Sequence, residues 1–175
     1  MKRRLVWMAV VSLFAFCSML LPALAADKLT MSEKSFVKKA ASGGMMEVEL
    51  GQLAKEKAKS QEVKDFAQMM VTDHGKANDE LKTAVGNKYK LPAKMELKHK
   101  AMVEKLQKTS ADEFDKKYAE AMVKDHKKDV EDFKKASKKV KDPEIKAWID
   151  KTLPTLEQHL QHAKDMAQKV GAAKK

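Results

Sequence analysis

Cysteine is nearly absent from this chain. Among 175 residues the only cysteine is Cys17, which lies in an apolar N-terminal run. A mature chain without this run has no thiol, which excludes disulfides and thiolate metal sites. A lipid-modified cysteine normally follows a small residue, whereas Phe16 precedes Cys17. A lipoprotein is therefore not predicted.

Glycine, proline and aromatic residues are also scarce. The chain has 6 glycines, 4 prolines and 6% aromatic residues, with no run of alternating apolar and polar residues, so β-strands are not predicted. There is no glycine-rich phosphate loop, and no Ser, Thr or Cys nucleophile is visible beside a histidine. These absences remove the commonest nucleotide-binding and covalent hydrolase mechanisms.

The N-terminus is typical of a secretory signal peptide. It has a basic start, an apolar run and a small-x-small cleavage pattern, which are Lys2-Arg3-Arg4, Leu5–Leu21 and Ala23-Leu24-Ala25. We expect residues 1–25 to be a signal peptide and residues 26–175 to be one mature domain. No second hydrophobic segment follows, so no transmembrane segment is expected after cleavage.

Lysine dominates the charge. The chain carries a net charge of +11, and the signal segment holds three of its 36 basic residues and no acid, which leaves +8. Most lysines alternate with acids, as on a solvated helix surface. One dense basic run consists of Lys134, Lys135, Lys138, Lys139 and Lys141. It lacks interleaved aromatics, so we expect no nucleic-acid binding and, at most, weak contact with anionic envelope components.

Helical periodicity fills the mature chain. The expected segments are 30–59, 60–86, 92–108, 110–141 and 142–170. Thr30 with Glu33, and Ser110 with Glu113, have capping-box spacing, and Asp142 followed by Pro143 is a helix start. Pro154 is expected to kink the last segment. Four long helices and one shorter crossing helix predict an all-α four-helix bundle.

Two segments repeat each other around a histidine. The frame Met-Val-x-Asp-His-x-Lys occurs at His74 and again, fifty-two positions later, at His126. Helical spacing places both histidines on apolar stripes, and it places His159 on the stripe of the last helix. Glu47 lies on the stripe of the first helix. Each long helix therefore carries one ionisable residue on its buried face.

These four residues also share one height in the bundle. At about 1.5 Å per residue, Glu47, His74, His126 and His159 lie roughly 18–24 Å from the turns that join their helices. Three imidazoles and a carboxylate in one layer match the ligands of zinc, copper, iron or manganese. Asp129 lies on the same side as His126 and is a fifth candidate ligand. We therefore predict one transition-metal ion as the cofactor.

Two other interpretations explain the same pattern. In the first, the layer is a metal-free polar network in which Glu47 accepts protons from the imidazoles, and the protein is a structural or interaction component. In the second, the metal belongs to a mononuclear redox or hydrolytic enzyme, which needs a solvent-connected cavity beside the histidines. Asp73 and Asp125 are either charges on the helix surface or partners of the ligand histidines, and the surface is favoured for Asp73. His99 is expected to be structural, and His162 is expected to be exposed.

Several motifs resemble a family of secreted bacterial ferritin-like proteins of unknown function, predicted to be periplasmic or outer-membrane proteins. They are Phe36–Met45, Glu47–Gly51, Met70–His74, Phe114-Asp115 with Tyr118, Met122–His126 and Leu153–Leu156 with His159. The resemblance covers about Ser35 to Val170. It implies a ferritin-like bundle in the Gram-negative envelope and brings no established activity.

The chain departs from di-iron ferritin-like proteins. Those proteins carry Glu-x-x-His on two helices. Here Val71, Val123 and Leu156 stand three positions before the three histidines. Two-metal iron storage or oxygen activation is therefore not expected.

Overall fold

The computed structural model describes residues 28–172, and the expected signal peptide with Cys17 lies outside that range. The described chain forms five helices, which are α1 Met31–Lys57, α2 Gln61–Val85, α3 Leu97–Gln107, α4 Ala111–Lys139 and α5 Pro143–Lys169. No strand occurs between residues 28 and 172. The prediction of an all-α bundle with one shorter helix is confirmed.

Two helix starts have the expected caps. The Thr30 hydroxyl accepts a hydrogen bond from the Glu33 backbone N–H, and the Glu33 carboxylate accepts from the Thr30 N–H at 2.9 Å. Asp142 accepts from the Ile145 N–H at 3.0 Å. The second predicted capping box is wrong. The Glu113 N–H instead donates to the Ser110 carbonyl at 3.2 Å, and the Ser110 side chain makes no capping bond.

The shorter helix begins later than expected. Pro92 does not open it, because α3 starts at Leu97 with Glu96 as its N-cap. The Glu96 N–H donates to the Ser42 hydroxyl on α1 at 2.7 Å. A tertiary hydrogen bond therefore holds the start of this helix against α1.

The long helices pack as two hairpins. α1 lies along α2 and α4 along α5, while α2 and α5 join the hairpins on one side. α1 and α4 face each other with much less direct packing, which leaves a groove between them. None of the helices between residues 28 and 172 combines the length and apolarity needed to cross a bilayer.

The core consists of two apolar clusters. One contains Leu50, Phe66, Tyr118, Met122 and Met166 among others. The second contains Val37, Leu81, Phe133, Ile149 and Leu156 among others. The buried residues His74, His126 and His159 fall between these clusters in chain position on α2, α4 and α5, and buried Glu47 directly follows Met46 of the first cluster on α1. The bundle therefore has a polar layer at mid-height.

Candidate metal centre

Three histidines meet in this layer. Helices α2, α4 and α5 each contribute one, and His74, His126 and His159 are 7%, 0% and 2% exposed. Their ring centroids lie 5.3–5.6 Å apart in all three pairs. One ring nitrogen from each histidine lies within 4.8 Å of those of the other two. The helical spacing thus brings three side chains from distant parts of the chain to one point.

Two of the three imidazole rings each use one nitrogen in a hydrogen bond to a residue outside the triad. His126 Nδ1 lies 3.0 Å from the Met122 carbonyl oxygen, and His159 Nε2 lies 2.9 Å from Asp73 Oδ2. A carbonyl oxygen can only accept a hydrogen bond, so His126 Nδ1 carries the proton. Donation from His159 Nε2 to the Asp73 carboxylate likewise leaves Nδ1 of that neutral ring as an acceptor.

The inward nitrogens have no hydrogen-bond partner. These are His74 Nε2, His126 Nε2 and His159 Nδ1, all buried. The tautomers make at least two of them lone-pair acceptors. Buried acceptors without a donor are costly, and a metal cation removes that cost by accepting the lone pairs. With these tautomers and unpartnered nitrogens, the three histidines could hold a metal ion.

Burial also keeps these imidazoles neutral. It lowers the pKa of His74 well below the usual value, and the neighbouring His126 and His159 add to this effect. The pKa of His126 falls to about 4, chiefly through burial and then through His159. Burial also lowers the pKa of His159, although the bond to Asp73 opposes the shift. Neutral imidazole is the form that binds metal.

Glu47 lies in the layer but outside the triad. Its Oε1 is 4.0 Å from His126 Nδ1, the nitrogen that already donates to Met122. Neither Glu47 oxygen has a hydrogen-bond partner. Burial raises the pKa of Glu47 well above its usual range, and Asp125 and Asp129 raise it further. The hydrogen bonds from the imidazoles to Glu47, which the alternative metal-free network requires, are therefore absent from this layer.

Asp129 does not belong to the histidine cluster. It lines the groove between α1 and α4 together with Asp125 and Asp132. Burial, followed by the charges of these two neighbours, raises the pKa of Asp129 to about 8. Of the five predicted ligands, the structure gathers three nitrogen donors at one point and leaves the carboxyl groups of Glu47 and Asp129 outside that cluster.

Asp73 makes the contact of the less favoured of its two predicted roles, that of a partner to a triad histidine. It was expected to be a surface charge, and its side chain is 39% exposed, yet it binds His159 across the contact between α2 and α5. A metal-bound histidine commonly donates its other N–H to a carboxylate. The available signal was its position next to His74, on the flank of α2 that turns toward a neighbouring helix.

The remaining histidines have other surroundings. His162 is exposed, as predicted. His99 Nδ1 is hydrogen-bonded to Ser42 Oγ at 2.6 Å, so a serine does lie beside a histidine. Ser42 is fully buried, and its oxygen also accepts from Glu96. This pair tethers α3 to α1, and its buried oxygen is not presented to a substrate.

The groove between α1 and α4 reaches the triad. It has a volume of about 380 Å³, and His74 is the only one of the three histidines that lines it. Gly43 and Gly44 form part of its α1 wall. A Cβ at Gly44 would lie 1.9 Å from Asn78 Oδ1, so glycine allows this side chain of α2 to approach α1. Within the described residues, this groove connects the histidine triad, at His74, with solvent.

Comparison with known proteins places the chain in a family. The model described as "Domain of unknown function (DUF4142)" matches residues 18–166, and the chain belongs to that family. A search of curated proteins found no match. The solved structure of CopM in the Cu(II)-bound form is similar, with a TM-score of 0.66 and 20% identity over 78% of this chain and 95% of that chain. At 20% identity, this similarity shows that the two chains share a fold.

Proposed function

We propose that this family member binds one transition-metal ion through His74, His126 and His159 and acts in metal handling or envelope stress. The observation that carries the proposal is the set of three inward ring nitrogens without hydrogen-bond partners. Histidines that only filled space in the core would have a hydrogen-bond donor for these buried acceptor nitrogens.

The donor set narrows the choice of metal. Three neutral imidazoles suit copper, zinc and iron, whereas manganese prefers oxygen donors. The similarity to CopM, a protein whose structure is of a Cu(II)-bound form, makes copper the first ion to test. Glu47 and Asp129 belong to this proposal as carboxylates close to the ion rather than as members of the triad.

The proposed setting is the bacterial envelope, in the periplasm or at the outer membrane. Its support is the signal-like composition of residues 1–25 and the resemblance to secreted ferritin-like proteins. Two antiparallel hairpins joined by a long crossover that contains α3 support the ferritin-like part of the proposal. The lysine run from 134 to 141 would meet anionic envelope components only weakly.

Titration of the metal-free protein with Cu²⁺ and Zn²⁺ tests the proposal. We expect one equivalent per chain, nitrogen-donor spectra for copper, and a higher melting temperature with metal. His74→Gln should abolish these effects, and His162→Gln, which changes an exposed histidine outside the triad, should leave them in place. Elemental analysis of protein from its native envelope identifies the ion. Absence of binding would favour the metal-free structural role.

A mononuclear metal enzyme is a second candidate function. The observation in its favour is the groove, which connects His74 with solvent as a substrate path requires. Three protein ligands also leave a fourth position for water or substrate, as in catalytic zinc sites. Exchange of an external ligand such as azide at bound Cu²⁺, followed in the visible spectrum, would show whether that position is open.

A further inference from the structure

The first turn of α3 forms one end of the groove. Lys98 and His99 line the groove together with His74, and α3 contacts both α1 and α4. The His99 ring lies over the α1 wall, where a Cβ at Gly43 would be 3.9 Å from its Cε1 atom. A movement of this turn therefore changes the opening of the groove toward the triad.

The two halves of α3 are held in different ways. Val103 and Leu106, in the second half, are each 2% exposed and belong to the first apolar cluster. Met95, just before the helix, is only partly buried against that cluster, and Leu97 in the first turn is 86% exposed. Apolar burial thus anchors the second half, whereas the first turn depends largely on hydrogen bonds to α1.

These hydrogen bonds meet at one oxygen atom. Ser42 Oγ, on α1, accepts from the Glu96 N–H at 2.7 Å and lies 2.6 Å from His99 Nδ1. Ser42 is fully buried, and a buried hydroxyl directs its single proton to an acceptor. That proton is donated to His99 Nδ1, which therefore carries a lone pair, and the imidazole is neutral in this arrangement.

Protonation of His99 is incompatible with this network. It puts an N–H on Nδ1, so two N–H groups then face Ser42 Oγ and the hydroxyl proton loses its acceptor. Burial lowers the pKa of His99, and the charge of Lys98 adds to this effect. Asp125, Glu96 and the bond with Ser42 act in the opposite direction without reversing the shift. The closed turn therefore favours the neutral imidazole.

The charged groups around this imidazole do not replace its bond to α1. Glu96 lies 3.4 Å from Lys38 of α1 and 3.8 Å from Lys98. Both lysine side chains are at least half exposed, so these ion pairs hold the turn only weakly. The charge that faces the imidazole from α4 is Asp125, and α2 contributes His74 to the groove, which burial keeps neutral.

We propose that the first turn of α3 is an acid-released latch. The bond between Ser42 and His99 holds the turn at the end of the groove, and protonation of His99 frees it to move about the anchored second half of α3. The released turn opens the groove toward His74. This inference concerns access to the groove and does not depend on metal binding. Under the proposed function, the solute that the open groove admits or releases is the metal cation.

Hydrogen exchange of the Glu96 amide in the metal-free protein tests the latch, because this N–H donates to Ser42. With an ordinary histidine pKa of about 6.5 in the open turn, opening should increase about tenfold between pH 7.5 and 5.5, after correction for intrinsic exchange. His99→Gln offers an amide oxygen to the Ser42 proton but cannot be protonated, so it should remove this increase. His162→Gln, at an exposed position on α5, should retain it.

A second variant guards against a His99→Gln protein that is altered for other reasons. Ser42→Ala removes the oxygen shared by Glu96 and His99. Its Glu96 amide should exchange faster than in the unaltered protein at both pH values and without the tenfold dependence, while the amides of Val103 and Leu106 stay protected. A pH dependence that persists in Ser42→Ala or in His99→Gln overturns the latch, as does its absence from the unaltered protein.

Access to the groove is measured separately. A neutral nitroxide in solution should broaden the NMR signals of the His74 ring more at pH 5.5 than at pH 7.5 in the unaltered protein. In His99→Gln the broadening should be equal at the two pH values. A His74 ring that is no more accessible in acid would show that the turn does not control the groove, and this result also overturns the proposal.

Discussion

His159 on α5 and Asp73 on α2 are joined by a hydrogen bond of 2.9 Å between Nε2 and Oδ2. Asp73 directly precedes His74, so one stretch of α2 supplies one triad member and orients another. The bond holds His159 with Nδ1 turned inward, where that atom has no other partner. A partly exposed carboxylate thus determines which nitrogen of a buried imidazole is available.

Asp73→Asn should weaken metal binding about 10- to 100-fold, the usual cost of losing a carboxylate behind a metal-bound histidine. Titration with Cu²⁺ or Zn²⁺ measures the change. Asp79→Asn removes the same charge from an exposed position on α2 and serves as the control. Equal affinities in the two variants would show that the Asp73 bond does not position a ligand.

Acid should destabilise the metal-free protein through the triad. The pKa of His126 falls from an ordinary 6.5 to about 4, so the unfolded chain takes up protons first as pH falls. The stability from this group is complete above about pH 6.5 and is lost between there and about pH 4, with a total of roughly 3 kcal/mol. Melts at pH 7.5 and 5.5 measure the loss. If a metal occupies the triad, this acid-induced loss of stability depends on metal concentration.

A melting temperature that is the same at both pH values, after correction for other groups, would contradict the buried neutral state. Acid sensitivity that neither chelator nor added metal alters would instead support a metal-free layer.

Glycine at position 51 should be required for the packing of α1 on α2. A Cβ there would lie 2.8 Å from Val71 Cγ2 and 2.9 Å from the Ala67 carbonyl oxygen. Backbone cannot move aside cheaply, so Gly51→Ala should destabilise the bundle by about 1–3 kcal/mol. At Gly75 a Cβ meets nothing within 4 Å, and Gly75→Ala should stabilise α2 by up to about 1 kcal/mol. Urea unfolding of both variants measures whether the two changes in the free energy of unfolding have opposite signs.

Glu33 should stabilise the junction between α4 and α5. Its carboxylate accepts from the backbone N–H groups of Lys141 and Asp142 at 2.9 and 3.1 Å, as well as from Thr30. Burial opposes ionisation, but the bonds from Lys141 and Thr30 outweigh it and lower the pKa of Glu33 to about 2. Its contribution is therefore complete above about pH 4.5 and is lost as pH falls toward 2.

Glu33→Ala should cost about 1–3 kcal/mol at neutral pH, because partly buried N–H groups lose their acceptor. Glu49→Ala, on the exposed face of the same helix, is the control. The difference between the two unfolding free energies should shrink at pH 2.5. A difference that persists unchanged there would mean that the carboxylate charge is not involved.

The sequence by itself determined the helices, their polar layer and most of their ends. Helical period decides which side of a helix a residue occupies, and distance from the turn decides its height, so His74, His126 and His159 could be placed in one layer. Local caps at Thr30 and Asp142 were equally readable, because their partners lie three residues away. The basic composition and the single cysteine could likewise be read directly from the sequence.

Only the tertiary structure decided which neighbours the layer residues have. Asp73 meets His159 because α2 and α5 are adjacent, and Glu96 meets Ser42 because α3 crosses α1. Glu47 has the predicted height yet lies outside the triad, because its nearest imidazole nitrogen is 4.0 Å away and already donates to Met122. Periodicity constrains each helix alone. The rotation and spacing of helices depend on packing across the bundle, and those decide which donor atoms meet.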